Sequence, residues 1–110
     1  MNIKELQEKV VKFRDERDWK KFHTPKNLAI SISIESAELL EFFQWDEGDI
    51  EKNKKEISYE IADILIYMLL FAHECGINLE KSVLEKLKIN ENRYPIDKAK
   101  GTSKKYTKLK

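Results

Sequence analysis

With 110 residues, 41% of them hydrophobic, the chain is long enough for one domain around one core and too short for two independent domains. Only three glycines and two prolines interrupt a sequence rich in Lys, Glu, Leu and Ile, which disfavours a turn-rich sheet and predicts an all-α protein. Lys and Arg number 21 against 20 Asp and Glu, so the net charge is +1; no global field marks nucleic acid or an anionic membrane as a partner, and any anion recognition has to be local.

Ile3, Leu6, Val10 and Phe13 recur at helical spacing between charged residues, which predicts an amphipathic helix from about residue 2 to Arg17. After Asp18-Trp19-Lys20-Lys21-Phe22-His23, Thr24 is placed to cap and Pro25 to take the first position of a second helix, Pro25 to Phe43. Asp46-Glu47-Gly48-Asp49 makes the turn into a third helix, from about Ile50 or Asn53 to Glu74, closed by Gly76. Asn78 caps a fourth, which ends before Tyr94-Pro95 because proline disfavours a helical residue ahead of it.

These four helices make a core of about residues 2–94, with a tail at 95–110 that carries six lysines and no acid from Lys98 onward. So polar an end reads, by composition, as a solvated terminus or as an arm for phosphate. Connections this short predict an antiparallel four-helix bundle with the second and third helices, apolar on most of their faces, at its centre. The longest apolar run, Ile61 to Ala72, is interrupted by Asp63 and falls short of the roughly 20 residues that span a bilayer, so it is expected to be a buried helix. Cys75, the one cysteine, has no intrachain partner and reads as structural; with no apolar stretch at the N-terminus, the expected location is cytoplasmic.

On a helical wheel Glu35 falls between Leu28, Leu39 and Phe42, with Glu38 about 60° further round. Glu60 falls between Tyr67 and Phe71, with Asp63 one turn on and adjacent to Leu70 in projection. An unpaired carboxylate in such surroundings would cost several kcal/mol of desolvation or take up a proton, so acids kept there imply a compensating charge. Oxygen ligands without histidine or cysteine suit a hard ion such as Mg2+ or Mn2+, which leaves positions for water and substrate phosphate. An arbitrary Glu-x-x-Glu is more often surface charge paired with lysine, and the wheel positions argue against that here. A carboxylate-bridged di-iron site needs Glu-x-x-His on two helices, and neither His23 nor His73 has an acid three residues before it.

Glu35-Ser-Ala-Glu38 and, after 21 intervening residues, Glu60-Ile-Ala-Asp63 resemble the E-x-x-E and E-x-x-D signature of MazG-type all-α nucleoside triphosphate pyrophosphohydrolases. Glu16-Arg-Asp-Trp19, Phe22-His23, Pro25-Lys-Asn-Leu28, Leu40-Glu-Phe-Phe-Gln-Trp45, Asp63-Ile-Leu-Ile-Tyr67, Asn92-Arg-Tyr-Pro95 and Lys105-Tyr-Thr107 are similar to the dCTP pyrophosphatase branch, over nearly the whole chain. Ile34 and Ala37 depart from it, standing where relatives often have glycine.

The resemblance implies magnesium-dependent cleavage between the α and β phosphates of dCTP and its base-modified relatives, giving a monophosphate and pyrophosphate in nucleotide-pool sanitation. It also implies a homo-oligomer, a dimer of dimers with active sites between subunits. Glu35, Glu38, Glu60 and Asp63 become the metal ligands, and Glu35 and Glu38 the catalytic acids, with Glu38 as general base because it projects to the side of the Glu35 stripe. Trp19, Trp45 and Tyr67 become candidates to stack on the base, with His23 and Asn27 as nucleotide contacts. Arg93, Lys105 and Tyr106 become candidates for an ordered tail that reaches a neighbouring subunit's site. Taken without the resemblance, the tryptophans and tyrosine read as packing residues, His23 as a bland histidine and Asn27 as a satisfier of backbone groups. The rival functions are a pyrophosphatase of different or broader nucleotide preference and a catalytically silent helical interaction module.

Overall fold

The computed structural model describes residues 1–109; Lys110, the last residue of the expected tail, lies outside the described residues. Its helices are α1 (Ile3–Asp15), α2 (Pro25–Glu41), α3 (Ile50–Cys75), α4 (Leu79–Arg93) and the single turn α5 (Ile96–Ala99), with 3-10 turns at Lys20–Phe22 and Tyr106–Lys108. No strand occurs among the described residues, as the composition predicts.

Each long helix starts where a side chain can accept from its free N–H groups. Asn2 accepts from the Glu5 amide at 2.9 Å, Thr24 from Asn27 at 3.2 Å, Asp49 from Lys52 at 3.0 Å and Asn78 from Lys81 at 3.0 Å. Gly76, in the left-handed region at φ 66°, ends α3: the Ile77 amide donates to Ala72 and the Gly76 amide to His73, a Schellman closure.

Two expected helices run past their real ends. The first stops at Asp15 rather than Arg17, because Asp18 turns the chain through the left-handed region at φ 55°. The second stops at Glu41 rather than Phe43. There the chain folds into a turn in which the Asp46 carboxylate accepts from the Gly48 amide at 2.6 Å, and Gly48 sits at φ 78° against Phe43.

The chain divides into two compact units, Met1–Ile77 and the segment from Asn78 onward. In the first, α2 packs along α3, and α1 lies against α3. Leu28 of α2 and Leu69, Leu70 and Ala72 of α3 are its buried apolar residues, and Gln7 of α1 donates to the Leu69 carbonyl at 2.8 Å. Arg14 of α1 is buried with them, its guanidinium paired with Glu74 of α3 and Asp15. In the second unit the tail is folded: Tyr106 meets Tyr94 edge-on at 6.0 Å, and the Arg93 guanidinium lies 4.5 Å from the Tyr106 ring centroid.

Candidate active site

Glu35 lies two turns after the buried Leu28 on α2, so the packing that buries Leu28 also turns Glu35 toward α3. Glu38, one turn on, and Glu60 of α3 complete a group in which each residue offers one carboxylate oxygen, all within 4.8 Å of one another. All three side chains are half-buried. One oxygen of Glu35 and one of Glu60 are shut off from solvent and have no hydrogen-bond partner.

Burial pushes the Glu35 carboxyl up to about 7, helped first by its hydrogen bond with Glu38 and the charge of Glu38, then by Glu60 and Asp63. Glu60 is raised in the same way, by burial and by Glu38 and Asp63, against an opposing hydrogen bond from Glu35. Among the described residues the ion pairs are Arg14–Asp15, Arg14–Glu74, Lys21–Asp18 and Lys81–Glu85, so no lysine or arginine neutralises the cluster. Orphaned oxygens in a converging, oxygen-only donor set fit a hard divalent cation, and the alternative of surface acids paired with lysine does not hold.

Asp63 lies one turn beyond Glu60. It stands outside the 4.8 Å group yet close enough for its charge to act on Glu35 and Glu60. Its other neighbourhood is a cavity of about 290 Å³, whose walls are Val10, Phe13 and Arg14 of α1, Trp19 and His23 of the following loop, and Ile66, Tyr67 and Leu70 of α3. Trp19 meets Phe13 edge-on at 5.9 Å, and His23 meets Tyr67 edge-on at 6.4 Å. The Nδ1 atom of His23 is buried and unpartnered. Burial and the Arg14 charge lower the His23 pKa, against Glu74, and keep the imidazole neutral at pH 7. Flat aromatic walls, apolar floor residues and a few polar atoms describe a pocket for a planar, edge-functionalised ring.

The structure therefore brings Trp19, His23, Asp63 and Tyr67 together, with Glu35, Glu38 and Glu60 converging nearby through Asp63. Asn27 lies outside the cavity lining, and its side chain donates to the Phe22 carbonyl at 3.0 Å, tying the 3-10 turn to α2. Trp45 stands 87% exposed in the α2–α3 turn. Arg93 and Tyr106 stack on each other in the second unit, with Lys105 at the head of the 3-10 turn that carries Tyr106. Arg14 and Glu74 escaped the sequence reading. The available signal was spacing: Arg14 falls four residues after Val10, on the same inner stripe as Ile3.

The family model described as the MazG-like family matches residues 30–109. Human dCTP pyrophosphatase 1 (Homo sapiens) is 38% identical over 104 residues, covering 88% of this chain and 61% of that protein. The rat protein of the same name (Rattus norvegicus) is 37% identical over 105 residues with the same coverage. The chain thus spans 61% of the length of these relatives. A crystal structure of a pyrophosphatase from Archaeoglobus fulgidus superposes with a TM-score of 0.79 at 47% identity, over 84% of this chain and 92% of that one.

Proposed function

Because the chain belongs to the MazG-like family, we propose that it is a magnesium-dependent nucleoside triphosphate pyrophosphohydrolase that converts dCTP and base-modified dCTP to the monophosphate and pyrophosphate. The observation that carries this reading is the convergence of Glu35, Glu38 and Glu60 within 4.8 Å, joined through Asp63 to an aromatic cavity. The relatives' names support hydrolysis and, through dCTP pyrophosphatase 1, cytosine as the base. The silent-module alternative loses force because all four acids are present.

Glu35, Glu38, Glu60 and Asp63 would hold a magnesium ion, with manganese as a substitute. When bound, the ion neutralises charge on the phosphate oxygens and on the leaving pyrophosphate. Glu38 accepts the proton of the attacking water. As the water oxygen bonds to the α-phosphorus, the bond from that phosphorus to the α–β bridging oxygen breaks, and pyrophosphate departs. Glu35, within 4.8 Å of Glu38, is placed to orient that carboxylate. Trp19 and Tyr67 flank the base, and neutral His23 offers Nδ1 to its edge.

In this reading the whole chain works as one nucleotide pyrophosphohydrolase domain, the expected four-helix bundle, assembled as a dimer of dimers in the cytoplasm. The apolar residues exposed on α2 and α3 support the assembly. Trp45 and Asn27 are further nucleotide contacts in this reading, and Arg93, Lys105 and Tyr106 belong to a tail that reaches a neighbouring subunit's site.

A panel of nucleoside triphosphates with magnesium, scored for both monophosphate and pyrophosphate, tests the proposal. dCTP is expected to be turned over fastest, with both products in equal amounts. Orthophosphate as the sole product, or no turnover of any nucleotide, would overturn it; a flat profile across bases would leave the reaction and remove the cytosine preference.

A further inference from the structure

Arg14 is the one buried charged residue among those described, 2% exposed, in a unit whose other fully buried side chains are apolar. It is held on two sides. Its Nε and Nη2 lie 3.0 and 2.9 Å from Asp15 Oδ1, and its Nη1 donates to Glu74 Oε1 across the α1–α3 contact. A guanidinium carries five N–H donors in a rigid plane. These contacts engage three of them and leave two without a partner. In a buried setting an unmatched donor is costly, and a helix tie alone does not require one, since a well-packed apolar pair holds two helices as firmly as a buried ion pair.

Arg14 also lines the 290 Å³ cavity, where His23 Nδ1 is buried without a partner. The remaining walls, apart from Asp63 at the carboxylate side, are aromatic or aliphatic. A planar ring entering between Trp19 and Tyr67 has its faces matched by these walls; of the polar groups in the lining, Asp63 and Tyr67 can accept from a base edge, and Arg14 is the one charged donor there. We propose that Arg14 is a specificity-determining residue of this cavity, its guanidinium held in place by Glu74 and Asp15 and donating to a carbonyl oxygen on the inserted edge of the nucleobase. Glu74 is then a positioning residue, acting through Arg14.

The inference deepens the pyrophosphohydrolase reading and rests on it for the identity of the ligand. Cytosine carries a single carbonyl, at C2, whereas adenine carries none. The requirement therefore admits pyrimidines and rejects an adenine of similar flatness. It also explains why a charged side chain sits where the helix periodicity calls for an apolar one.

The test is binding rather than turnover, so that it is separable from the reaction. Titration calorimetry compares dCMP with 2-thio-dCMP, in which sulfur, a poor acceptor, replaces the C2 oxygen. The wild-type chain is expected to prefer dCMP by about ten- to a hundredfold, the range of a hydrogen bond to a charged donor. Two variants follow: Arg14→Met with Glu74→Met, which replaces the buried pair by apolar side chains, and Arg14→Lys, which keeps the ion pair with Glu74 but loses the planar fork. In each variant that retains a cooperative thermal transition, the preference is expected to collapse to within about threefold, with dCMP affinity falling by the factor lost. A preference due to the bulk of sulfur, or a purely structural Arg14, would leave the ratio unchanged in both variants and overturn the assignment. So would a wild-type chain that fails to discriminate or to bind dCMP. Nucleotide binding with the full preference but no turnover would instead sink the hydrolase reading and leave Arg14 assigned.

Discussion

Among the described residues no basic side chain pairs with Glu35, Glu38, Glu60 or Asp63, and the consequence is a proton held in place of a cation. The Glu35 carboxyl, raised from an ordinary 4.5 to about 7, binds its proton more tightly in the folded chain than in the unfolded one. The stability this contributes is complete below about pH 4.5 and is lost as pH rises through 7. In chelator the melting temperature should therefore fall by several degrees between pH 5.5 and pH 8, with Glu60 acting in the same direction. Glu35→Gln should flatten much of that slope. On the proposed reading, magnesium would bind the folded site alone and should restore more at pH 8 than at pH 5.5, where it competes with the proton. Parallel pH curves for wild type and variant would refute the shared-proton description. For the chemistry, Glu38→Gln should lower turnover by about a hundredfold or more while nucleotide binding persists; near-normal turnover would move the general base to another residue. The acids were legible from the wheel because their i, i+3 spacing is local information. Arg14 left only its place on the Ile3–Val10 stripe as a local signal; its pairing depends on Glu74, 60 residues away in sequence, which only the packed α1–α3 pair brings within reach.

The helices themselves were legible wherever a single residue's chemistry fixes an end. Thr24 with Pro25, Asn78 and Gly76 each mark a terminus through one side chain or one left-handed backbone position, and each stands where the sequence places it. The overrun at Arg17 and Phe43 has the opposite cause. No glycine or proline breaks the chain before Asp18, apolar residues continue through Phe43, and nothing local shows that Phe43 packs on Gly48 instead of extending α2. That packing makes a sharp prediction for the α2–α3 turn, which sets the register of Glu35 and Glu38 against Glu60. At Gly48 a Cβ would lie 2.8 Å from Phe43 Cδ1 and 2.9 Å from the Phe42 carbonyl, at φ 78°. Gly101, at φ 81°, has nothing within 4 Å of the same position. Gly48→Ala is thus expected to cost about 2–3 kcal/mol of unfolding free energy, from strain and clash together. Gly101→Ala should cost about 1 kcal/mol, from backbone strain alone. Urea denaturation of the two variants checks this, and equal losses would mean that the Phe43 contact does not hold the turn.

For the molecule as a whole, the distribution of apolar surface is the feature the fold leaves unresolved within one chain. Burying a leucine contributes about 1.5–3 kcal/mol, and the first unit fully buries only Leu28, Leu69, Leu70 and Ala72 among its apolar residues. Meanwhile Ile30 and Ile34 line one face of α2, and Ile61, Leu65 and Met68 follow at helical spacing on α3, all exposed. Scattered exposed leucines are ordinary, but stripes on two packed helices are the face that the proposed assembly would cover. The sequence made both helices look central because they are apolar nearly all round; it could not say how much of that surface is covered within the chain and how much between chains. An exposed position in the single chain costs little to change, within about 0.5 kcal/mol, so a charge placed there should act on association rather than on folding. On the proposed assembly, wild type is expected to be an oligomer by light scattering and Ile30→Glu combined with Leu65→Glu to give monomers, while the helical circular dichroism is kept. If the nucleotide site is completed by a neighbouring copy, dCTP turnover should fall by at least about tenfold in these monomers. The rise in melting temperature expected with magnesium, which on the proposed reading needs only the acids of α2 and α3, should survive. An unchanged oligomer would assign the apolar face to something other than a second copy, and full activity in the monomers would place the whole nucleotide site within one chain.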